Sequence, residues 1–258
     1  MKGKLEGKLL LVLLAWAVII AFFVVARSAY FRNDAEIFLI QSLGIVDVSA
    51  IIWIIPVLLW LLPVIVIQYC LGDFISGQLD HHAVYLFTRT SKRGRWLIAQ
   101  FYMMIKYILF FQLVEVVVVI LTGIALGAHI EDKISFLIVA VQIYVLTALG
   151  LIVYALLVNV LSLVLNSVVS LVLMFLANLL CIMSAAYLYD KLPQHSTIAR
   201  LIPFTQNVYG WQYSIYRSTD EIDISNPSCY IMALAYLIIG GSLVLFSGLL
   251  VIKNKDIY

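Results

Sequence analysis

Six apolar runs, at roughly 9–26, 50–70, 97–127, 134–158, 167–188 and 230–252, take up most of this 258-residue chain. At about 1.5 Å of rise per residue, each is long enough as a helix to cross a hydrocarbon core of ~30 Å. Composition agrees: 64% of the residues are hydrophobic and only 12% are charged, against roughly 25% charged in a soluble domain. No soluble fold hides that much apolar surface, so the solvent for most of the chain is lipid. The expectation is an all-α integral membrane protein with six transmembrane helices in a single domain, 1–258.

The first eight residues are basic and precede the run from Leu9 to Ala26. That run, of about 18 residues, exceeds the ~7–15 of a signal-peptide core, so it is read as an uncleaved first span. Cations orient the chain. With the N-terminus inside, Lys2, Lys4, Lys8, Arg89, Lys92, Arg93, Arg95, Lys253 and Lys255 fall in short inner segments at the membrane face. Arg27, Arg32, Lys133, Lys191, Arg200 and Arg217 are scattered outside. Both termini are therefore expected in the cytoplasm of a multi-pass plasma-membrane protein. The cations flank apolar runs rather than forming a basic face, which argues against nucleic acid as a partner. Three cysteines, Cys70, Cys181 and Cys229, make neither a disulfide framework nor a CxxC metal site.

Along the chain, the segment from Arg27 to Ser49 mixes charges with Ile37, Phe38, Leu39 and Ile40, and reads as a short amphipathic helix on the outer surface. Pro56 and Pro63 predict a kinked second span. The third run, about 31 residues or roughly 46 Å as one helix, must tilt, protrude or break. It carries Lys106, which can snorkel, and nine residues later Glu115, about 14 Å farther along the axis and near mid-membrane. An ionisable group at that depth costs at least ~2.5 kcal/mol on insertion scales and faces protein or water. Glu115 is either a polar contact in a conduction path or a carboxyl packed between helices. Asn159 to Asn166 is the only break between the fourth and fifth runs. Asn178 lies mid-span, where an amide bonds across helices or meets cargo. The last outer segment, Asp190 to Tyr230, is broken by Pro193 and Pro203 into two short re-entrant or surface helices. Its aromatics, Phe204, Tyr209, Trp211, Tyr213 and Tyr216, suit the membrane interface.

Enzyme signatures are absent. There is no GxxxxGK[ST] loop for ATP phosphates, no G-x-S-x-G elbow and no HExxH. His81 and His82 are adjacent and cannot both face one metal from a helix; His129 and His195 lie apart, without carboxylate or cysteine neighbours in sequence. A transport subunit without catalytic or metal-binding residues is expected.

The stretch Asp73 to Trp96 stands out as the long polar interruption of the first half. Arg89, Lys92, Arg93 and Arg95 cluster just after the apolar Val84, Leu86 and Phe87. Exposed apolar side chains in a polar loop mark an interaction surface. Here Gly77, Leu79, Leu86 and Phe87 lead into Thr90-Ser91-Lys92-Arg93. Together with Leu201-Ile202-Pro203-Phe204 and the ending Lys255-Asp256-Ile257, this resembles the permease subunit of a type-2 ABC exporter over nearly the whole chain. Thr90 stands where that family usually has Pro, and Gln100 where it often has Lys. The N-terminus is shorter than in many relatives of that family.

The resemblance implies a cytoplasmic coupling helix between spans 2 and 3, seated in separate ABC ATPase subunits through Asp80, Val84, Leu86, Phe87, Arg89, Lys92 and Arg93. It implies a second permease copy or homologue as dimer partner, in a bacterial plasma membrane. ATP and Mg would be held by the ATPase, with no cofactor in this chain. Glu115 and Asn178 are the candidates for the translocation path. An apolar dimer cleft among membrane lipids suits amphipathic or antimicrobial peptides, or other hydrophobic compounds, as cargo. Two rival readings are a stand-alone carrier or channel with Glu115 as its ion site, and a non-pumping immunity or scaffold protein.

Overall fold

The structure is a computed structural model that describes residues 2–28, 34–46, 54–79, 93–191, 199, 201–215 and 228–254. All regular structure among them is helical. In chain order the helices are α1 (Lys2–Ser28), α2 (Ala35–Leu39) continued by a π-helical turn (Ile40–Gly44), α3 (Ile54–Leu71), α4 (Arg93–Ala125), α5 (Lys133–Ser162), α6 (Ser167–Lys191), the single-turn α7 (Tyr209–Gln212) and α8 (Ser228–Asn254). Five stretches are long and apolar enough to cross a membrane: Val57–Leu79, Arg93–Ala125, Lys133–Ser162, Ser167–Asp190 and Ser228–Lys253. The chain is a multi-pass membrane protein. The apolar stretch Leu9–Val25 within α1 is shorter.

The helices alternate in direction, which gives the bundle two ends. At one end, here called the elbow end, α3 finishes and α4 starts. There a side chain at Gly94 would touch Leu249 of α8, and one at Gly248 would meet Val160 of α5 and Phe101 of α4. At the far end Asp34 caps α2 by accepting a hydrogen bond from Glu36 N at 2.8 Å. Ala35 N donates to His129 O at 3.0 Å, joining α2 to the α4–α5 turn. Asp132 and Asn166 cap α5 and α6 in the same way, each accepting at 2.9 Å from the amide two residues on. Such caps satisfy backbone donors that have no partner within the helix.

Several expectations from the sequence need correction. The segment 34–46 does not lie on the surface. Phe38, Leu39, Ile40, Gln41, Ser42 and Leu43 are all buried, because α2 and its π turn enter the bundle between α1, α4 and α5. Phe38 is accommodated by Gly123 of α4, where a Cβ would stand 2.7 Å from the Phe38 ring. The third apolar run does not break; α4 is one helix of 33 residues. The link after the fourth run is shorter than Asn159 to Asn166, because α5 continues to Ser162. Asn159 can stay helical since its side chain finds partners inside the protein. Pro63 lies inside α3, within the second apolar run where the sequence placed it.

α4 shows what sorts protein-facing from lipid-facing residues. Leu97, Phe101, Met104, Ile108, Phe111, Glu115, Val119 and Gly123 are buried at the three- and four-residue spacing of one helix face. Tyr102, Leu109, Leu113, Val117 and Leu121 on the other side are exposed and as apolar as the core. Lys106 is exposed, with Nζ 4.4 Å from the centre of the Tyr102 ring. Exposed Leu, Ile and Phe side chains also cover the outer sides of α6 and α8.

Candidate functional site

Glu115 is wholly buried; neither carboxylate oxygen makes a well-formed hydrogen bond, and the donor beside it is the Gln112 amide. It borders a cavity of about 30 Å³ whose other polar lining residues are Ser42 from the π turn, Gln112 one turn earlier on α4, Thr147 from α5 and Asn207 from the 201–215 segment. A cavity needs roughly 10–15 Å³ to hold a water, so this one has room for one or two. Thr147 donates its hydroxyl proton to Ile143 O at 2.7 Å, which leaves its oxygen lone pairs for another donor. Pro63 of α3 also lines the cavity. Proline has no N–H, so the carbonyl of Leu59 lacks its usual helical donor. Among the residues lining the cavity, Glu115 alone can ionise.

The roof of this region is the 201–215 segment, which packs into the bundle. Thr205, Gln206, Asn207 and Gln212 are buried although polar, as are Tyr209, Trp211 and Tyr213. Its aromatics therefore face the bundle rather than a membrane interface; Tyr216 lies outside the described residues. Trp211 Nε1 donates to Val46 O at 3.0 Å, tying the roof to the end of the α2 segment. The Tyr209 and Tyr213 hydroxyls both donate to Gln142 Oε1 of α5, at 2.8 and 3.2 Å. Burial pushes the Tyr209 hydroxyl well up from its ordinary range, so it keeps its proton and acts as a donor. At Gly150 of α5 a Cβ would stand only 2.5 Å from Asn207 Cβ, so glycine is what lets the roof sit this low.

Next to the cavity stands a polar node on α5. The Tyr154 hydroxyl lies 2.9 Å from Phe204 O, 3.3 Å from Asn178 Oδ1 and 3.4 Å from Asn207 Oδ1. One hydroxyl has one proton, and the shortest distance assigns it to the Phe204 carbonyl. Turning the Asn178 amide toward Tyr154 then gives its otherwise unpartnered Nδ2 an acceptor. Phe204 adopts a left-handed backbone, φ 68°, unusual for a bulky residue, and its ring stacks on Tyr154 with centroids 5.1 Å apart. A second cavity, of about 130 Å³, lies on the other side of this node between α5, α8 and the Pro203–Phe204 turn. Tyr154 lines the second cavity and Asn207 lines the first.

At the elbow end, Asn159 of α5 is fully engaged. Its Nδ2 donates to Leu71 O at 2.6 Å and to Ala155 O at 2.9 Å, and its Oδ1 accepts from Ile75 N at 3.1 Å. It thereby fixes the turn where α3 ends, just before the polar stretch of the first half.

Of the residues singled out in the sequence, Glu115 and Asn178 are both buried but do not share a cavity; Asn178 reaches the Glu115 region only through Tyr154 and Asn207. Asp80, Val84, Leu86, Phe87, Arg89 and Lys92 lie outside the described residues, while Arg93 opens α4 and is half-buried. Ser42, Gln142, Thr147, Tyr154, Asn159 and Asn207 carry the polar network and were not singled out. Asn207 follows a Pro-Phe turn in a segment rich in amides, which was the available signal. Among the described residues no group of three or more His, Cys, Asp or Glu could hold a metal ion together.

A family model described as "Protein of unknown function (DUF2705)" matches residues 9–258. The chain belongs to this family. The match takes in α1 from Leu9 onward, the 34–46 segment and the 201–215 segment, so the whole polar network described above lies inside the matched residues. No curated protein and no solved structure matches the chain.

Proposed function

We propose that this member of the family is the membrane-spanning subunit of an ATP-driven ABC exporter, working with a separate ATPase chain. In this reading α1 is a sixth span and both termini are cytoplasmic. The 80–93 stretch is the coupling helix that sits in the ATPase, and two copies or homologues form the pathway. The cargo is an amphipathic or antimicrobial peptide, or another hydrophobic compound, moved out of a bacterial cell. ATP and Mg belong to the partner.

The observation that carries the reading is the elbow. A cation-rich stretch with Val84, Leu86 and Phe87 follows directly on a turn pinned to α5 by two hydrogen bonds with Asn159, one to Leu71 O and one from Ile75 N. A partner moving that stretch would pull on α5, and α5 carries the residues around both cavities. Such transmission requires contacts that differ between two states of the bundle.

The test is Phe87→Asp in cells that make the chain together with its neighbouring ATPase. The expected result is loss of ATPase co-purification and of export, with membrane insertion unchanged. Retained ATPase and retained export would overturn the coupling role.

A further inference from the structure

We propose that the cavity beside Glu115 is a binding site for one small alkali-metal cation, Na⁺ in size, with Glu115 as its counter-charge. This goes beyond the exporter reading and rests on the cavity alone.

The cavity's polar lining offers several oxygens around one carboxylate. Glu115 brings two oxygens without a well-formed hydrogen bond. The Thr147 proton is spent on the Ile143 carbonyl, so its oxygen faces the cavity as an acceptor. Gln112 and Asn207 each add an amide oxygen. A single buried carboxylate among neutral oxygens is stable when one positive charge joins it; left charged and alone, it is strongly disfavoured. The backbone adds to the same field. The helical segment from Ala35 to Gly44 stops inside the bundle, and Ser42 and Leu43, at its C-terminal end, line the cavity. A helix C-terminus carries partial negative charge and favours cations. That end is π-helical, a geometry that recurs at functional sites. Interrupted helices whose carbonyl ends meet at mid-membrane are also where transporters hold Na⁺.

Charge and size narrow the occupant. A divalent ion would leave a net positive charge buried, since no second carboxylate lines the cavity. At about 30 Å³ the space excludes a fully hydrated ion but admits a stripped one, with at most a water. The strong field of a carboxylate favours the smaller alkali ions over K⁺.

The test uses the full-length chain in lipid nanodiscs, keeping any ATPase that co-purifies. Thermal unfolding is followed in NaCl, KCl and choline chloride at equal ionic strength. A ligand that binds only the folded state raises Tm with its concentration. The expected result is a saturable rise in NaCl that KCl and choline chloride do not match. The rise is larger at alkaline than at acidic pH, because Na⁺ competes with the proton for Glu115. In Glu115→Gln the rise disappears. In Thr147→Val, which keeps the carboxylate, the Na⁺ concentration at half-effect increases several-fold. The proposal fails if NaCl has no specific effect, or if only pH matters, which would mean that the carboxyl takes a proton alone. An undiminished response in Glu115→Gln, or an unchanged half-effect in Thr147→Val, would also overturn it.

Discussion

Asn159 and Glu115 are both buried polar residues in long apolar helices, yet their surroundings are opposite. Every polar atom of the Asn159 side chain is bonded, to Leu71, Ala155 and Ile75. Both oxygens of Glu115 border a cavity without a well-formed hydrogen bond. A satisfied buried group rigidifies its neighbourhood, whereas an unsatisfied one in a native protein calls for an explanation, such as an ion or a water. The first arrangement is a pin. The second is the feature on which the proposed cation site rests.

If that contrast is right, the largest loss of stability comes from the pin. Asn159→Leu keeps the branched shape but strands the Ile75 amide and takes one of two donors from the Leu71 carbonyl, which Phe74 N still reaches at 3.2 Å. At about 1–3 kcal/mol for the stranded amide and ~0.5–1.5 kcal/mol for the lost bond to Leu71, the expected cost is roughly 2–4 kcal/mol, read from unfolding in nanodiscs. Stability close to wild type would erase the distinction. Gly150→Ala comes next. Its new Cβ would press on Asn207 from 2.5 Å and lift the roof, at an expected cost of about 1–3 kcal/mol by the same measurement. An undisturbed Gly150→Ala would show that the roof is not held tightly over the cavity.

The smallest effect is expected at Glu36, a partly exposed counterpart to Glu115 at the far end. Burial raises its pKa above 4.5, the Ser135 hydroxyl opposes this by donating a hydrogen bond at 3.0 Å, and Asp34 and Asp132 add to the rise. The folded state therefore holds this proton more tightly than the unfolded chain does. Its contribution is fully present below pH 4.5 and declines as pH rises through the raised value. Glu36→Gln should flatten that slope slightly in a pH series of unfolding curves. An unchanged slope would mean that Ser135 alone sets its behaviour.

Of the six expected spans, five were legible because apolar length alone identifies them; the first, with Leu9–Val25, is shorter. Which side of each helix faces protein was not, since Leu113 and Leu121 toward lipid are as apolar as Phe111 and Val119 toward the core. Glu115 and Asn178 stood out as polar residues at depth. Asn159 was hidden for the opposite reason: with Ser162 and Asn166 it resembles the polar edge of a loop, and only its partners at Leu71 and Ile75 make it a core residue. The 34–46 segment misled through its mixture of charged and apolar residues, which suits a surface helix as well as one that plunges inward. What separates the two is Gly123, far off in sequence, which opens the space that Phe38 fills.

Five of the polar contacts described above meet on one helix. Along α5, Gln142 receives the roof tyrosines, Thr147 borders the small cavity, Gly150 admits Asn207, Tyr154 holds the Phe204 turn and Asn159 grips the elbow. From Gln142 to Asn159 is about 25 Å at 1.5 Å per residue. Within a helix that long, torsion about the axis is the motion that reaches all five stations together. A turn of about 10° carries a side-chain tip at ~5 Å radius through roughly 1 Å, enough to take a 2.9 Å hydrogen bond out of range. α5 thus has the geometry of a drive shaft: a twist applied at Asn159 arrives at Tyr154, Thr147 and Gln142 without any bending of the rod.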